Sequence, residues 1–167
     1  GAAFIHDIVR PDLLHARVVR QPFRSAVLTA LATAAIEKAA GAPIRFVRLA
    51  NFVAIVGADE TAVQRAAVAA PAHATWTGVP TLTPAMGEAG YFRGQPSDDR
   101  HIGDPVAPAS GEVVSQTYSR PYVAHAALAP SCGLAEFRNG RLEVWSHTQG
   151  VYPLRNSIAD ILGLPRE

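Results

Sequence analysis

Cysteine and net charge are both scarce in this chain, and each scarcity excludes a class of protein. Cys132 is the one cysteine among 167 residues, so an internal disulfide framework and any site that needs several cysteine ligands are excluded. A lone thiol also does not distinguish a cytoplasmic from a periplasmic location. Fifteen lysines and arginines stand against 14 aspartates and glutamates, and this balance predicts no binding to nucleic acid.

Long hydrophobic runs and paired histidines are missing as well. The longest uncharged run near the start, residues 25–36, is far shorter than the roughly 20 residues that span a bilayer, so no membrane span is expected. The six histidines are scattered and never show the short spacings of zinc ligands, so no metal held by protein side chains is expected. The chain is instead 49% hydrophobic and 17% charged, a composition typical of a folded domain.

The first half of the chain alternates between strand and helix patterns. A strand is predicted within residues 4–21, and a helix over 28–39, where apolar residues recur at the spacing of one helical face. Gly41 and Pro43 would end that helix. Two closely joined strands follow at 44–49 and 52–56, the second buried on both faces. Asp59 is placed to cap a helix that Pro71 ends, and a short strand is predicted at 73–76.

The second half begins with a loop and ends with a hairpin and a helix. Residues 78–110 are rich in proline and glycine and lack periodicity, which indicates a linker or a functional loop. Alternation predicts a strand over 113–118, and Asn139 with Gly140 between two alternating runs predicts a hairpin. A helix is expected to have Pro153 as its first residue and to end at Gly163. Its inner face is predicted to carry Leu154, Ile158, Ile161 and Leu162.

One segment places polar side chains where a predicted strand ends and a helix begins. Residues 145–150 read Trp-Ser-His-Thr-Gln-Gly, and strand ends in mixed α/β structures are common positions for ligands. Gln149 carries amide donors and an acceptor, so it could hold an oxygen atom of a cofactor. The alternative is that Gln149 merely satisfies backbone groups at the helix start. Composition and spacing therefore predict an α+β fold and leave the reaction open.

Four segments in the second half resemble a known enzyme family. Residues 120–126, 130–135, 142–150 and 155–165 are similar in order and spacing to the molybdenum hydroxylases, the xanthine dehydrogenase and aldehyde oxidase family. The resemblance is strongest to large subunits of the nicotinate dehydrogenase and isoquinoline 1-oxidoreductase type. The amino end, 4–20, resembles the opening of the family's α/β hammerhead domain, and residues 52–56 and 64–76 resemble its middle and end.

The resemblance implies a domain organisation and a site. Residues 1–78 would form the hammerhead domain, 79–110 a Pro/Gly-rich linker, and 111–167 the truncated amino-terminal part of a molybdopterin-binding domain. Gln149 matches the family glutamine that approaches an oxygen ligand of the molybdenum, and with Gly150 it is the expected cofactor contact. Relatives often read Met-Glu-Pro where this chain has Leu128, Ala129 and Pro130, so Ala129 supplies no carboxylate. The family's catalytic glutamate has no counterpart before Glu167, and no catalytic residue or metal ligand is assigned.

The resemblance also implies a function for the parent protein. That protein would be a molybdenum-dependent oxidoreductase that hydroxylates an N-heterocycle or an aldehyde with oxygen from water. Its cofactor would be molybdopterin, expected in the cytosine dinucleotide form, and electrons would pass to iron–sulfur clusters on a partner subunit. The expected partners are that iron–sulfur subunit and the remainder of the molybdenum subunit, and this fragment alone should be inactive. Two alternatives stay open: a non-catalytic structural or assembly module of such a complex, and an unrelated small-molecule binding protein.

Overall fold

Two compact units make up the chain. The computed structural model describes residues 4–98, 100, 102–103, 110–112 and 114–166. Residues 14–124 form the larger unit, and residues 1–13 together with 125–167 form the smaller unit. Both units combine helix with small antiparallel sheets, which is consistent with the predicted α+β class. The hammerhead arrangement and the domain boundaries at 78 and 111 stay predictions.

The described residues of the larger unit form five strands and two α-helices. In chain order they are β1 (His15–Val18), β2 (Val27–Leu31), α1 (Thr33–Ala40), β3 (Arg45–Leu49), β4 (Phe52–Gly57), α2 (Glu60–Ala69) and β5 (Ala74–Thr77). One antiparallel sheet has the order β1-β4-β3, and β2 pairs with β5 in a second. The predicted strands at 44–49, 52–56 and 73–76 are thereby confirmed within a residue or two at their ends.

The core of the larger unit lies around β4. Val53 and Ile55 on this strand are fully buried, as are Ile36 on α1 and Val63 on α2. Residues 53–57 are buried without interruption because β4 is the central strand and α2 packs against it. The continuous apolar run in the sequence predicted this two-sided burial.

The helix predicted over 28–39 is wrong in its first part. Residues 27–31 form β2, and α1 begins only at Thr33. Leu28 pairs with Trp76 and Leu31 with Ala74, so cross-strand pairing with β5 decides the conformation. Helical periodicity alone could not reveal this, because the partner strand lies more than 40 residues away.

The start of the chain is less extended than expected. The strand predicted within 4–21 is limited to β1, and Ile5–Asp7 is a short 3₁₀ helix of the smaller unit. Residues 114–118 form no strand, while Val113 lies outside the described residues. The long loop carries two 3₁₀ turns, Pro84–Gly87 and Phe92–Gly94. Among the described residues, no helix is long and apolar enough to cross a membrane.

The smaller unit contains a hairpin and one helix. Strands β6 (Gly133–Arg138) and β7 (Arg141–Ser146) pair antiparallel, and α3 spans Val151–Leu162. Asn139 and Gly140 adopt φ of 51° and 78°, the left-handed values that a two-residue type I′ turn requires, so the predicted hairpin is confirmed.

Helix α3 differs from its prediction in two respects. It begins at Val151, which makes Pro153 its third residue, although Gly163 ends it in the expected left-handed conformation. Leu154 and Ile158 are half-buried, but the predicted inner-face residues Ile161 and Leu162 are 71% and 56% exposed. The inner face is therefore narrower than the apolar pattern indicated. Among the described residues of this unit, Ala159 alone is buried.

Candidate cofactor-binding site

An open groove of about 720 Å³ lies between the hairpin and α3 in the smaller unit. Its lining is mainly apolar and comes from the amino end, β7, α3 and the residues after α3. The lining includes Ile5, Val144, Trp145, Leu154, Ile158 and Leu164. Ser146 and Thr148 line it too. The two predicted cofactor contacts, Gln149 and Gly150, are not among its lining residues, although Thr148 before them and Val151 after them are.

The segment between β7 and α3 is held by its own hydrogen bonds. The backbone N–H of Gly150 donates a hydrogen bond to Thr148 Oγ1 at 3.1 Å, and that hydroxyl donates to the Gly150 carbonyl oxygen at 3.3 Å. Gly150 precedes α3 as its N-cap residue, and its carbonyl accepts from the Leu154 N–H at 3.1 Å. A Cβ at Gly150 would lie 3.3 Å from Cγ of Pro153, so glycine lets the loop pass close to the first helical turn.

Gln149 lies within this loop, and its side chain is exposed. Within the described part of the chain its side chain has no hydrogen-bond partner, and the helix start has no side-chain cap. The alternative in which Gln149 satisfies the backbone at the helix start is therefore not what the structure shows, because Thr148 makes the local contact instead. The amide of Gln149 is left available to a ligand.

Further donors at this position are uncharged. The N–H groups of Val151 and Tyr152 have no acceptor within α3, because the first N–H groups of any α-helix lack one. No acidic residue lies in this first turn. Backbone N–H donors that have no acceptor at a helix start favour the binding of an oxygen-rich or anionic group. In the described ranges no three His, Cys, Asp or Glu side chains come together.

The amino-terminal residues contribute contacts that sequence reasoning missed. Nε2 of His6 lies 3.0 Å from the carbonyl oxygen of Pro130, 124 positions later in the chain. The Arg10 guanidinium carbon lies 5.4 Å from the centre of the Trp145 ring, and its Nε lies 3.9 Å from Glu136 Oε2. No local pattern signals such contacts, because their partners are so distant in sequence.

A second cavity, of about 680 Å³, lies in the larger unit and does not include the predicted site. It is lined by the loop residues 87–89, 92–93 and 118–123, Phe92 and Tyr122 among them. The two rings meet edge to face with centroids 5.8 Å apart, and the Tyr122 hydroxyl donates to the Met86 carbonyl at 3.1 Å. These contacts hold the two loop segments to each other.

Comparison with known proteins gives two matches. Residues 94–167 match the family described as Molybdopterin cofactor-binding domain, a range that includes Gln149 and Gly150. The chain is 31% identical over 174 aligned residues to a subunit of nicotinate dehydrogenase from Pseudomonas putida. That alignment covers 95% of this chain but 14% of the relative, so the chain spans a small part of the relative's length. No solved structure gives a significant match.

Both matches agree with the resemblance seen in the sequence, since one is to a molybdopterin cofactor-binding domain and the other to a subunit of nicotinate dehydrogenase. The described residues also fit the cofactor in chemical kind. The Gln149 amide and the free N–H groups at the start of α3 are neutral donors that suit a metal-bound oxygen or a phosphate.

Proposed function

We propose that this chain is part of a molybdenum-dependent oxidoreductase of the molybdenum hydroxylase family, in which Gln149 and Gly150 contact the cofactor. The observation that carries the proposal is the place of Gln149 within the matched residues 94–167, in the loop between Thr148 and Val151, which both line the groove. The Gln149 side chain is exposed and has no hydrogen-bond partner among the described residues. The finer proposal is that the complete protein hydroxylates an N-heterocycle or an aldehyde with oxygen from water. Its electrons would pass to iron–sulfur clusters on a partner subunit.

The residues of this chain would orient the cofactor rather than react. Bound molybdopterin, proposed in its cytosine dinucleotide form, would supply the two-electron chemistry. The Gln149 side-chain amide would donate a hydrogen bond to an oxygen on the metal without adding charge. Gly150 would keep the loop close to α3, because any larger residue at this position would press on Pro153.

The smaller unit also points to further polypeptide in the assembly. The described residues of this unit form a hairpin and one α-helix with Ala159 as their single buried residue, which is too little for a hydrophobic core. The groove exposes apolar side chains that a complete domain would cover. We therefore include the remainder of the molybdenum subunit among the proposed partners, together with an iron–sulfur subunit. The relative is named as one subunit of a dehydrogenase, which agrees with a protein of several subunits.

Substitution of Gln149 in the complete molybdenum subunit tests the site. Gln149→Ala should lower turnover at least tenfold, about 1.4 kcal/mol of lost stabilisation. It should also change the molybdenum X-ray absorption spectrum, because an oxygen ligand loses its donor. Gln116→Ala is the matched control, since Gln116 is an exposed loop glutamine that does not line the groove. Unchanged turnover and an unchanged spectrum in Gln149→Ala would remove the cofactor contact.

A substrate panel tests the finer proposal. The purified complex should hydroxylate an N-heterocyclic carboxylate such as nicotinate, or a simple aldehyde, and the new oxygen should derive from ¹⁸O-labelled water. Molybdenum content should be stoichiometric with the complete subunit. A complex that assembles on this chain but contains no molybdenum would favour the structural or assembly module instead. The open apolar groove of the smaller unit is the observation that favours this second candidate function, because another polypeptide could cover it.

A further inference from the structure

We propose that Arg10 is a positioning residue for the loop that carries Gln149. This inference rests on the proposed function, because it assumes that Gln149 contacts the cofactor. The Arg10 contacts themselves lie within the smaller unit. The segment matched to the cofactor-binding family starts at residue 94, so it does not include Arg10. Residues of the amino end would therefore belong to the cofactor-binding unit although a separate unit of more than 100 residues lies between them in the chain.

Arg10 contacts two side chains on one face of the hairpin. Its guanidinium lies over the Trp145 ring at 5.4 Å, and its Nε lies 3.9 Å from Glu136. The register pairs Leu134 with Trp145 and Glu136 with Glu143, which places Trp145 and Glu136 on the same face. A planar guanidinium suits this pair, because it can stack on an indole and meet a carboxylate at its edge.

The charge of Arg10 also offsets a repulsion within the hairpin. Glu136 and Glu143 are direct cross-strand neighbours, and like charges in that position destabilise a strand pair. Arg138 contacts Glu136 at 2.6 Å, Arg141 contacts Glu143 at 3.5 Å, and Arg10 is the cation supplied from outside the hairpin. The Glu136 side chain is 25% exposed, so its pairing is less screened than at a fully exposed site.

From Trp145 the effect has a short path to Gln149. Trp145 is the penultimate residue of β7, and the loop to α3 leaves the strand after Ser146. Ile5 and Trp145 both line the groove, so the amino-terminal segment and the strand end from which this loop departs border the same groove. The contact between His6 and Pro130 holds the same segment at a second point. Arg10 would thus fix the strand end and, through it, the position of Gln149.

The test uses the full 167-residue chain and two readouts that need no cofactor. With Trp76→Phe as background, Trp145 is the sole tryptophan, and its emission reports on the Arg10 contact. Arg10→Ala should shift this emission and speed exchange of the hydrogen-bonded amides at residues 144–150, Gly150 in the loop among them, about three- to tenfold. This is the range expected for one cation–π and one ion-pair contact. Arg10→Lys should rescue the exchange in part, because it restores the charge beside Glu136 but not the flat stacking surface. Arg45→Ala, an exposed arginine on β3, is the control and should change neither readout.

Two results would overturn the inference. One is unchanged Trp145 emission and exchange in Arg10→Ala. The other is faster exchange that stops at residue 146, because the arginine would then stabilise the hairpin without positioning the loop. Far-UV circular dichroism identifies a variant that fails to fold, and Arg10→Gln, which loses the charge but keeps most of the side-chain length, then serves as the second variant with the same expected change at 144–150. Neither result affects the Gln149 measurements in the complete subunit, so failure here and failure of the proposed function are distinguishable.

Discussion

Asp59 shows how one side chain defines a helix start in this protein. Its carboxylate accepts from the Ala62 N–H at 3.1 Å, and its backbone is extended, as the sequence predicted for the cap of α2. Asp59→Ala should lower the free energy of unfolding of the larger unit by about 1 kcal/mol. Unfolding in urea, followed by Trp76 fluorescence in a Trp145→Phe background, measures it.

Asp59→Asn is the control for this cap. It keeps the oxygen acceptor and loses only the charge near the helix start, so we expect a loss of about 0.5 kcal/mol or less. Equal losses in both variants would mean that charge, and not the hydrogen bond, carries the cap.

Local chemistry of this kind is what the sequence predicts best. Asp59, Gly41 and Gly163 act through backbone groups a few residues away, and all three lie where the pattern placed them. The position of Gln149 between β7 and α3 was accessible for the same reason. The sequence could not predict that the Gln149 side chain makes no hydrogen bond at the start of α3. Thr148 and Gln149 could each contact the backbone there, and only the loop geometry distinguishes them.

At the scale of elements, the hairpin depends on its turn. Gly140 has φ of 78°, and an added Cβ there would meet no neighbour, so backbone strain alone opposes a larger residue. Gly140→Ala should destabilise the hairpin by about 1 kcal/mol and speed amide exchange in β6 and β7 about fivefold. Hydrogen exchange measured by NMR follows this change residue by residue.

Gly133→Ala is the matched control on the same hairpin. Gly133 is not in the left-handed region, and a Cβ would lie 3.8 Å from the Trp145 carbonyl oxygen, an ordinary contact. We expect exchange in β6 and β7 to stay the same or slow slightly, because alanine orders a strand better than glycine. Faster exchange in both variants would show that bulk, rather than the turn conformation, limits the hairpin.

Elements whose conformation depends on partners distant in the chain were not predicted correctly from the sequence. β2 carries a helical pattern but pairs with β5, and the competition is decided by burial of Leu28 rather than by propensity. Residues 114–118 alternate as a strand would, yet alternation produces a strand only where a partner edge is available. The exposed Ile161 and Leu162 follow the same rule, because a helix buries only the face that meets another element.

At the scale of the whole molecule, buried apolar surface is unevenly distributed. The larger unit has a cluster of fully buried side chains around Ile55 and Ile36, whereas the described residues of the smaller unit bury only Ala159. Composition gave no sign of this asymmetry, since 49% hydrophobic residues are enough for an ordinary core. Which apolar residues become buried depends on the number of elements in each unit, and no pattern within one element contains that number.

This asymmetry predicts that the isolated 167-residue chain binds an apolar dye at the groove of the smaller unit. Ile158 lines the groove and is half-buried, whereas Ile161 on the same helix is 71% exposed and does not line it. Ile158→Gln should reduce the fluorescence of bound 8-anilinonaphthalene-1-sulfonate and any concentration-dependent association seen by gel filtration, because it makes the groove polar. Ile161→Gln removes the same side chain elsewhere on α3 and should change both signals much less. Equal reductions in the two variants would place the apolar binding surface on the outer face of α3 rather than in the groove.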